Sequence, residues 1–182
     1  MKKFILSLLI VLFSLNAFAQ PDYRHEISVS YGRLSNMELY GYGLEQLANV
    51  MAAVTGLNKT HVVSIGSIGF SYFYRLSNMV SLGFMGAYMH FFDENMAEPR
   101  SYYRFGTALA GVKIHWFERE WFRTYSMFAV GALYRNDPVV KGFRVAGQAS
   151  FLGMEFGKRF CGFMDFGVGD MGVATAGLRV KF

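Results

Sequence analysis

At the end of the chain, apolar and polar residues alternate without a break. Ala174, Ala176, Leu178, Val180 and Phe182 fall on one face, and Thr175, Gly177, Arg179 and Lys181 on the other. A period of two is that of a β-strand, which turns successive side chains to opposite faces. Val80, Leu82, Phe84 and Tyr88 stand in the same way against Ser81, Gly83 and Ala87. So do Ala108, Ala110, Val112, Ile114 and Trp116 against Thr107, Gly111, Lys113 and His115. Followed along the chain, the pattern predicts eight strands near 24–32, 61–75, 79–91, 101–116, 122–135, 143–156, 159–168 and 173–182. The second and sixth change phase midway, near Gly66 and Ser150, where β-bulges are expected.

The links between these segments carry an independent signal. Those at 76–78, 117–121 and 157–158 are short, whereas those at 34–60, 92–100 and 136–142 are longer. Short and long alternate, as in barrels with tight turns at one end and loops at the other. Only the last link of the long series, 169–172, breaks the pattern by being short.

Composition sharpens this picture. Hydrophobic residues make up 53% of the chain and charged residues only 17%, against about 25% charged in ordinary soluble domains. Beyond the N-terminus there is no apolar run of the ~18 residues that a spanning helix requires. High apolar content without long runs has to be distributed by alternation. In hydrocarbon, only helices and closed barrels satisfy every backbone group. The expected architecture is therefore all-β: an eight-stranded antiparallel transmembrane up-and-down barrel, with the even strand number typical of bacterial barrels.

The N-terminus reads as an export signal. Lys2 and Lys3 precede an apolar stretch from Phe4 to Leu15, and Ala17-Phe18-Ala19 offers a small-x-small cleavage site. Residues 1–19 are expected to be removed, leaving 182 − 19 = 163 residues in one domain, 20–182, and lowering the formal charge from +5 to +3. No basic cluster accompanies that small surplus, so nucleic acid is not an expected partner. The single Cys161 allows no internal disulfide and is read as a small apolar filler.

Aromatic residues gather at segment ends: Tyr72, Phe73 and Tyr74; Tyr88, Phe91 and Phe92; Tyr102 and Tyr103; Trp116, Phe117, Trp121 and Phe122. That placement suits girdles at membrane–water interfaces. With Gly-Met-Glu-Phe-Gly-Lys-Arg-Phe at 153–160 and the terminal Phe182, the chain from Tyr23 onward resembles the small outer-membrane β-barrel family of the OmpA/OmpX type. The signal with Gln20 after it is similar to versions found in Bacteroidota. The resemblance implies a porin-like barrel in the outer membrane of a Gram-negative bacterium. The partners it implies are outer-membrane lipids including lipopolysaccharide, and the insertion machinery, to which Leu178, Val180 and Phe182 would be presented. It leaves function open, because one fold serves many.

Candidate chemistry is sparse. Lys113, Glu155, Asp165, Arg179 and Lys181 lie on strands and are expected to face inwards, since an Arg or Lys at the lipid midplane costs ~2–4 kcal/mol. An eight-stranded barrel has an interior just wide enough for side chains to fill, so these charges should pair and plug the lumen, with Gln148, Ser150 and Thr175 in the same network. None of His25, His61, His90 and His115 has a serine two residues later, the spacing that would place both on one strand face. A histidine and a serine meeting across strands, with Glu45 or Glu38 as orienter, is the remaining route to a lipid-modifying enzyme. The scattered histidines suggest no metal site, and no cofactor is expected. In the first long link, Leu44, Leu47, Val50, Met51 and Val54 recur at helical spacing, which predicts an amphipathic helix ended by Gly56 as a lid or a binding element.

The expected protein is thus a barrel with a mostly plugged lumen and a structural or surface-interaction role through its outer loops, for an unknown extracellular ligand. The alternative function is a narrow channel for ions or small solutes. A secreted lipocalin-like barrel is the alternative fold. It would have the opposite polarity, apolar inside and polar outside. Alternation alone does not say which face is inside.

Overall fold

The computed structural model describes residues 23–39, 42, 43, 46, 62–93, 103–136 and 141–182. Its strands are β1 (His25–Arg33), β2 (Val62–Arg75), β3 (Val80–Asp93), β4 (Tyr103–Glu118), β5 (Phe122–Asn136), β6 (Lys141–Gly157), β7 (Phe160–Gly169) and β8 (Ala174–Lys181). Each pairs antiparallel with its neighbours in sequence, and β1 pairs with β8 to close an up-and-down barrel. Closure removes the edge strands that an open sheet would expose. Each expected strand is present, with its ends moved by one to a few residues. The first long link, with Leu44, Leu47, Val50, Met51 and Val54, lies outside the described residues except at 34–39, 42, 43 and 46.

Both phase changes have a structural cause. Between β2 and β3 the register shifts at Ser64/Ser67, and Gly66 there has φ 89°, a conformation open to glycine but costly to other residues. Between β6 and β7 it shifts at Ser150/Leu152. The same β6 bulge shifts the register with β5 at Tyr125/Met127, and a further one lies between β4 and β5 at His115/Phe117. Each bulge inserts one unpaired residue, so the inward face passes from odd to even positions or back.

The polarity of the wall is inverted relative to a soluble barrel. Along β8, Thr175, Arg179 and Lys181 are buried while Ala174, Ala176 and Leu178 are exposed. Phe84, Phe143, Phe160, Val145 and Leu178 are each more than two-thirds exposed on the outer surface. That excludes the lipocalin-type polarity. The wall is also uneven in height, because β4, β5 and β6 run to 16, 15 and 17 residues while β1, β7 and β8 have 9, 10 and 8.

The interior has two zones. Towards the chain termini it is charged. Towards the long links it is packed with Met85, Met89, Phe91, Phe105, Leu109, Met127, Leu133 and Met171. The long-link end is capped by a helical turn at 36–39, whose Met37 and Glu38 are buried. Ser35 Oγ accepts from the Glu38 amide at 3.1 Å, while Glu38 Oε2 accepts from the Leu34 and Ser35 amides. This reciprocal pair is a capping box, satisfying donors that a helix start leaves orphaned.

Candidate functional site

The charged zone is built by alternation on five strands. Glu26 comes from β1, Lys113 from β4, Glu155 from β6, Asp165 from β7, and Arg179 and Lys181 from β8. All are buried. Lys113 Nζ lies 2.6 Å from Glu26 Oε2 and 4.0 Å from Glu155 Oε1. Glu155 also pairs with Arg179 and Lys181, and Arg179 Nε approaches Glu26 at 3.9 Å. Three carboxylates thus face three cations, which suits a medium where an unpaired charge costs several kcal/mol.

Aromatic rings enclose the network. Lys113 Nζ lies 4.4 Å from the Phe73 ring centroid and 4.8 Å from that of Tyr125. The Arg179 guanidinium lies 4.2 Å above Phe163. Such cation–π contacts compensate desolvated cations in part. The Tyr125 hydroxyl accepts from Arg179 Nη2 at 3.3 Å and bonds to Asp165, so the phenol links the sixth charge to the rest.

A second cluster seals the terminus end. Arg75 grips both oxygens of Glu118 and donates to the Ser77 and Asn78 carbonyls at 3.2 and 2.7 Å. Arg123 Nε reaches the same carboxylate at 2.5 Å. The fork of Arg75 therefore ties the β2–β3 turn to the end of β4, a bidentate arrangement that lysine would not reproduce.

Ser28 and Ser71 share a hydrogen bond at 2.6 Å. The cavity bordered by Ser28, Ser30, Ser71, Ser150, Asp165 and Thr175 has a volume of about 10 Å³, room for about one water. At the mouth, Ser64 Oγ donates to Glu38 Oε1 at 2.8 Å, and Arg33 Nη1 lies 3.4 Å from that oxygen.

Lys113, Glu155, Asp165, Arg179 and Lys181 are thus brought together. Gln148 also points inwards but stands apart from the charges. Its amide holds the β7–β8 turn, accepting from the Met171 amide at 3.0 Å and donating to the Gly172 carbonyl at 3.1 Å. Leu178 and Phe182 face outwards, and Phe182 stacks on His25 at 5.4 Å across the β1–β8 seam. Glu26, Arg75, Glu118, Arg123 and Tyr125 were not legible as members. Glu26 carries a usable signal, since it shares the face of Ser28 and Ser30 opposite Ile27 and Val29. The arginines and Glu118 lie beside turns, where charges are ordinarily solvated.

A histidine and a serine do meet across strands. His115 Nε2 lies 3.1 Å from Ser81 Oγ. Both are buried beneath the charge network, and His115 Nδ1 has no hydrogen-bond partner among the described residues. A nucleophile needs a base held by a third group and a path for substrate, and this pair has neither in the described structure. Among the described residues no group of three or more His, Cys, Asp or Glu is placed to hold a metal ion. In comparison with known proteins, the chain matches no family model, no curated protein and no solved structure.

Proposed function

We propose that this is an outer-membrane barrel with a closed lumen, acting at the cell surface through its outer links, chiefly 34–60. One observation carries the reading: an apolar outer wall surrounds an interior whose terminus end is filled by balanced, mutually paired charges. A soluble monomer rarely exposes more than a few hundred Å² of contiguous apolar surface, and here the exposed apolar residues come from all eight strands. On β5 the outward span from Phe122 to Tyr134 covers about 12 residues, or roughly 30 Å of height at a tilt near 40°, which matches a hydrocarbon core.

The closed interior supports function at the loops over conduction. Lys113, Arg179 and Lys181 fill the section that ions would have to cross, and the cavity beside Asp165 and Arg179 has a volume of about 10 Å³. The test is planar-bilayer recording on refolded protein whose folding is verified by heat-modifiable gel mobility. Silence from folded protein is expected. Reproducible openings whose ion selectivity changes on Lys113→Ala would make the protein a channel instead.

A further inference from the structure

The two charge clusters inside the terminus end differ in balance. The six charges of the network cancel, three carboxylates against three cations. The cluster that seals this end sets Arg75 and Arg123 against Glu118 alone. Among the described residues, this end of the interior therefore holds one permanent positive charge more than its carboxylates neutralise.

The two arginines are not equally served. All three guanidinium nitrogens of Arg75 donate, to Glu118 and to the Ser77 and Asn78 carbonyls. Arg123 has its contact with Glu118, Nε to Oε1 at 2.5 Å. It is only 5% exposed, yet its Nη1 has no hydrogen-bond partner among the described residues. Register explains the shortfall. On the β4 side Arg123 stands opposite Glu118, which Arg75 already grips, and on the β6 side opposite Glu155, which Arg179 and Lys181 occupy. The next inward position of β6 towards this end is Gly157, which has no side chain to offer.

A buried charged donor without a partner is costly, and a guanidinium fork matches the paired oxygens of a carboxylate or a phosphate. The Glu118 side chain stays 31% exposed, so solvent reaches the carboxylate on which both arginines converge. The surrounding segments add Arg24, Arg119 and Arg159, all exposed, whereas Glu120 is paired with Lys158 at 2.9 Å. Such a surplus draws anions towards this mouth. We infer that the terminus mouth binds one small free oxyanion, of the carboxylate or phosphate class, on Arg123 beside Glu118. The anion supplies the missing negative charge and accepts from Nη1. Arg123 faces inwards, so the wall stands between it and any lipid headgroup at the outer face, which favours a free anion as the occupant. The site rests on interior charges and is independent of the membrane reading.

The test uses the full mature chain, refolded and heat-modifiable, in a neutral maltoside detergent that contains no phosphorus. The probe is inorganic phosphate, followed by broadening of its phosphorus NMR line. Saturable binding at one site is expected, displaced by acetate but not by an equal concentration of chloride. Arg123→Gln should abolish it, and this variant should still fold because the Arg75–Glu118 pair that remains is neutral. Glu118→Gln should act in the opposite direction and tighten phosphate binding by about tenfold or more, since it removes the carboxylate that competes for both arginines. Phosphate should also raise the urea midpoint of Glu118→Gln more than that of the parent, by replacing the lost charge. The control Arg144→Gln removes an exposed cation at the opposite mouth and should bind as the parent does.

No saturable binding by the parent, or equal binding by Arg123→Gln, would overturn the site. So would weaker binding by Glu118→Gln, or a Glu118→Gln chain that phosphate fails to stabilise, because both would mean that no anion stands in for the carboxylate. Displacement of phosphate by micellar phosphatidylglycerol as readily as by acetate would move the site to a lipid headgroup and overturn the free-anion assignment. A barrel that binds phosphate in detergent but fails to enter vesicles would sink the membrane reading and leave this site standing.

Discussion

Glu155 joins Lys113, Arg179 and Lys181, which makes it the side chain whose loss leaves most charge uncompensated. Glu155→Gln should destabilise the barrel by ~3–5 kcal/mol, the usual consequence of breaking a buried pair by removing one partner. The measurement is urea unfolding in lipid vesicles. The double variant Glu155→Met/Lys181→Met should cost less than the two single changes added together, because it removes carboxylate and cation at once. An additive result would mean that the two groups are not coupled. At this scale the sequence was informative about direction: alternation set Lys113, Asp165 and Arg179 on the faces opposite the apolar residues, and the cost of a charge in lipid made those faces the expected inner ones. It was silent about partners, because Glu26 and Lys113 are 87 positions apart and meet only through barrel closure.

Among elements, the capping turn at 35–38 and the bulge at Gly66 are two irregular pieces with defined chemistry. Ser35→Ala removes the acceptor for the Glu38 amide and should cost about 1 kcal/mol, the ordinary worth of an N-cap. Hydrogen exchange would read it as faster exchange of the Glu38 amide, with the barrel amides unchanged. Spread of that effect to β4 or β5 would show that the turn supports the wall. Gly66→Ala is expected to be worse, about 1–3 kcal/mol. A Cβ there would stand 2.7 Å from the Tyr31 hydroxyl and 2.9 Å from the Gly32 carbonyl oxygen, at φ +89°. Thermal unfolding of the variant checks it. The bulge was legible as a break in alternation. The capping turn is harder to read, although Ser35-Asn36-Met37-Glu38 fits the capping-box pattern, because no sustained apolar period follows it closely.

For the whole molecule, the sharpest consequence of the inverted wall concerns the two tryptophans. Trp116 and Trp121 are exposed at the terminus end of the barrel, and the Lys158 ammonium lies 5.3 Å from the Trp121 ring centroid. If that end meets the headgroups, as proposed, fluorescence should be quenched strongly by brominated lipids labelled near the headgroup and weakly by those labelled at the chain ends. The reverse order, or no quenching in vesicles, would contradict the proposed embedding. No other tryptophan complicates the signal, so the native chain serves without substitution.

The sequence by itself determined the strands, their number and the positions of two bulges, since a period of two is a local property that any reader of apolar and polar positions can follow. It also determined which residues share a face. Which face is inside was decided only by the tertiary structure, because alternation is symmetric between the two sides of a sheet until the sheet closes. Closure, through Glu26 opposite Lys181 and Ile27 opposite Val180, turned the charged face inwards. It brought carboxylates and cations from β1, β4, β6, β7 and β8 into one network. No local pattern encodes those meetings, since they depend on the curvature and register of the completed ring.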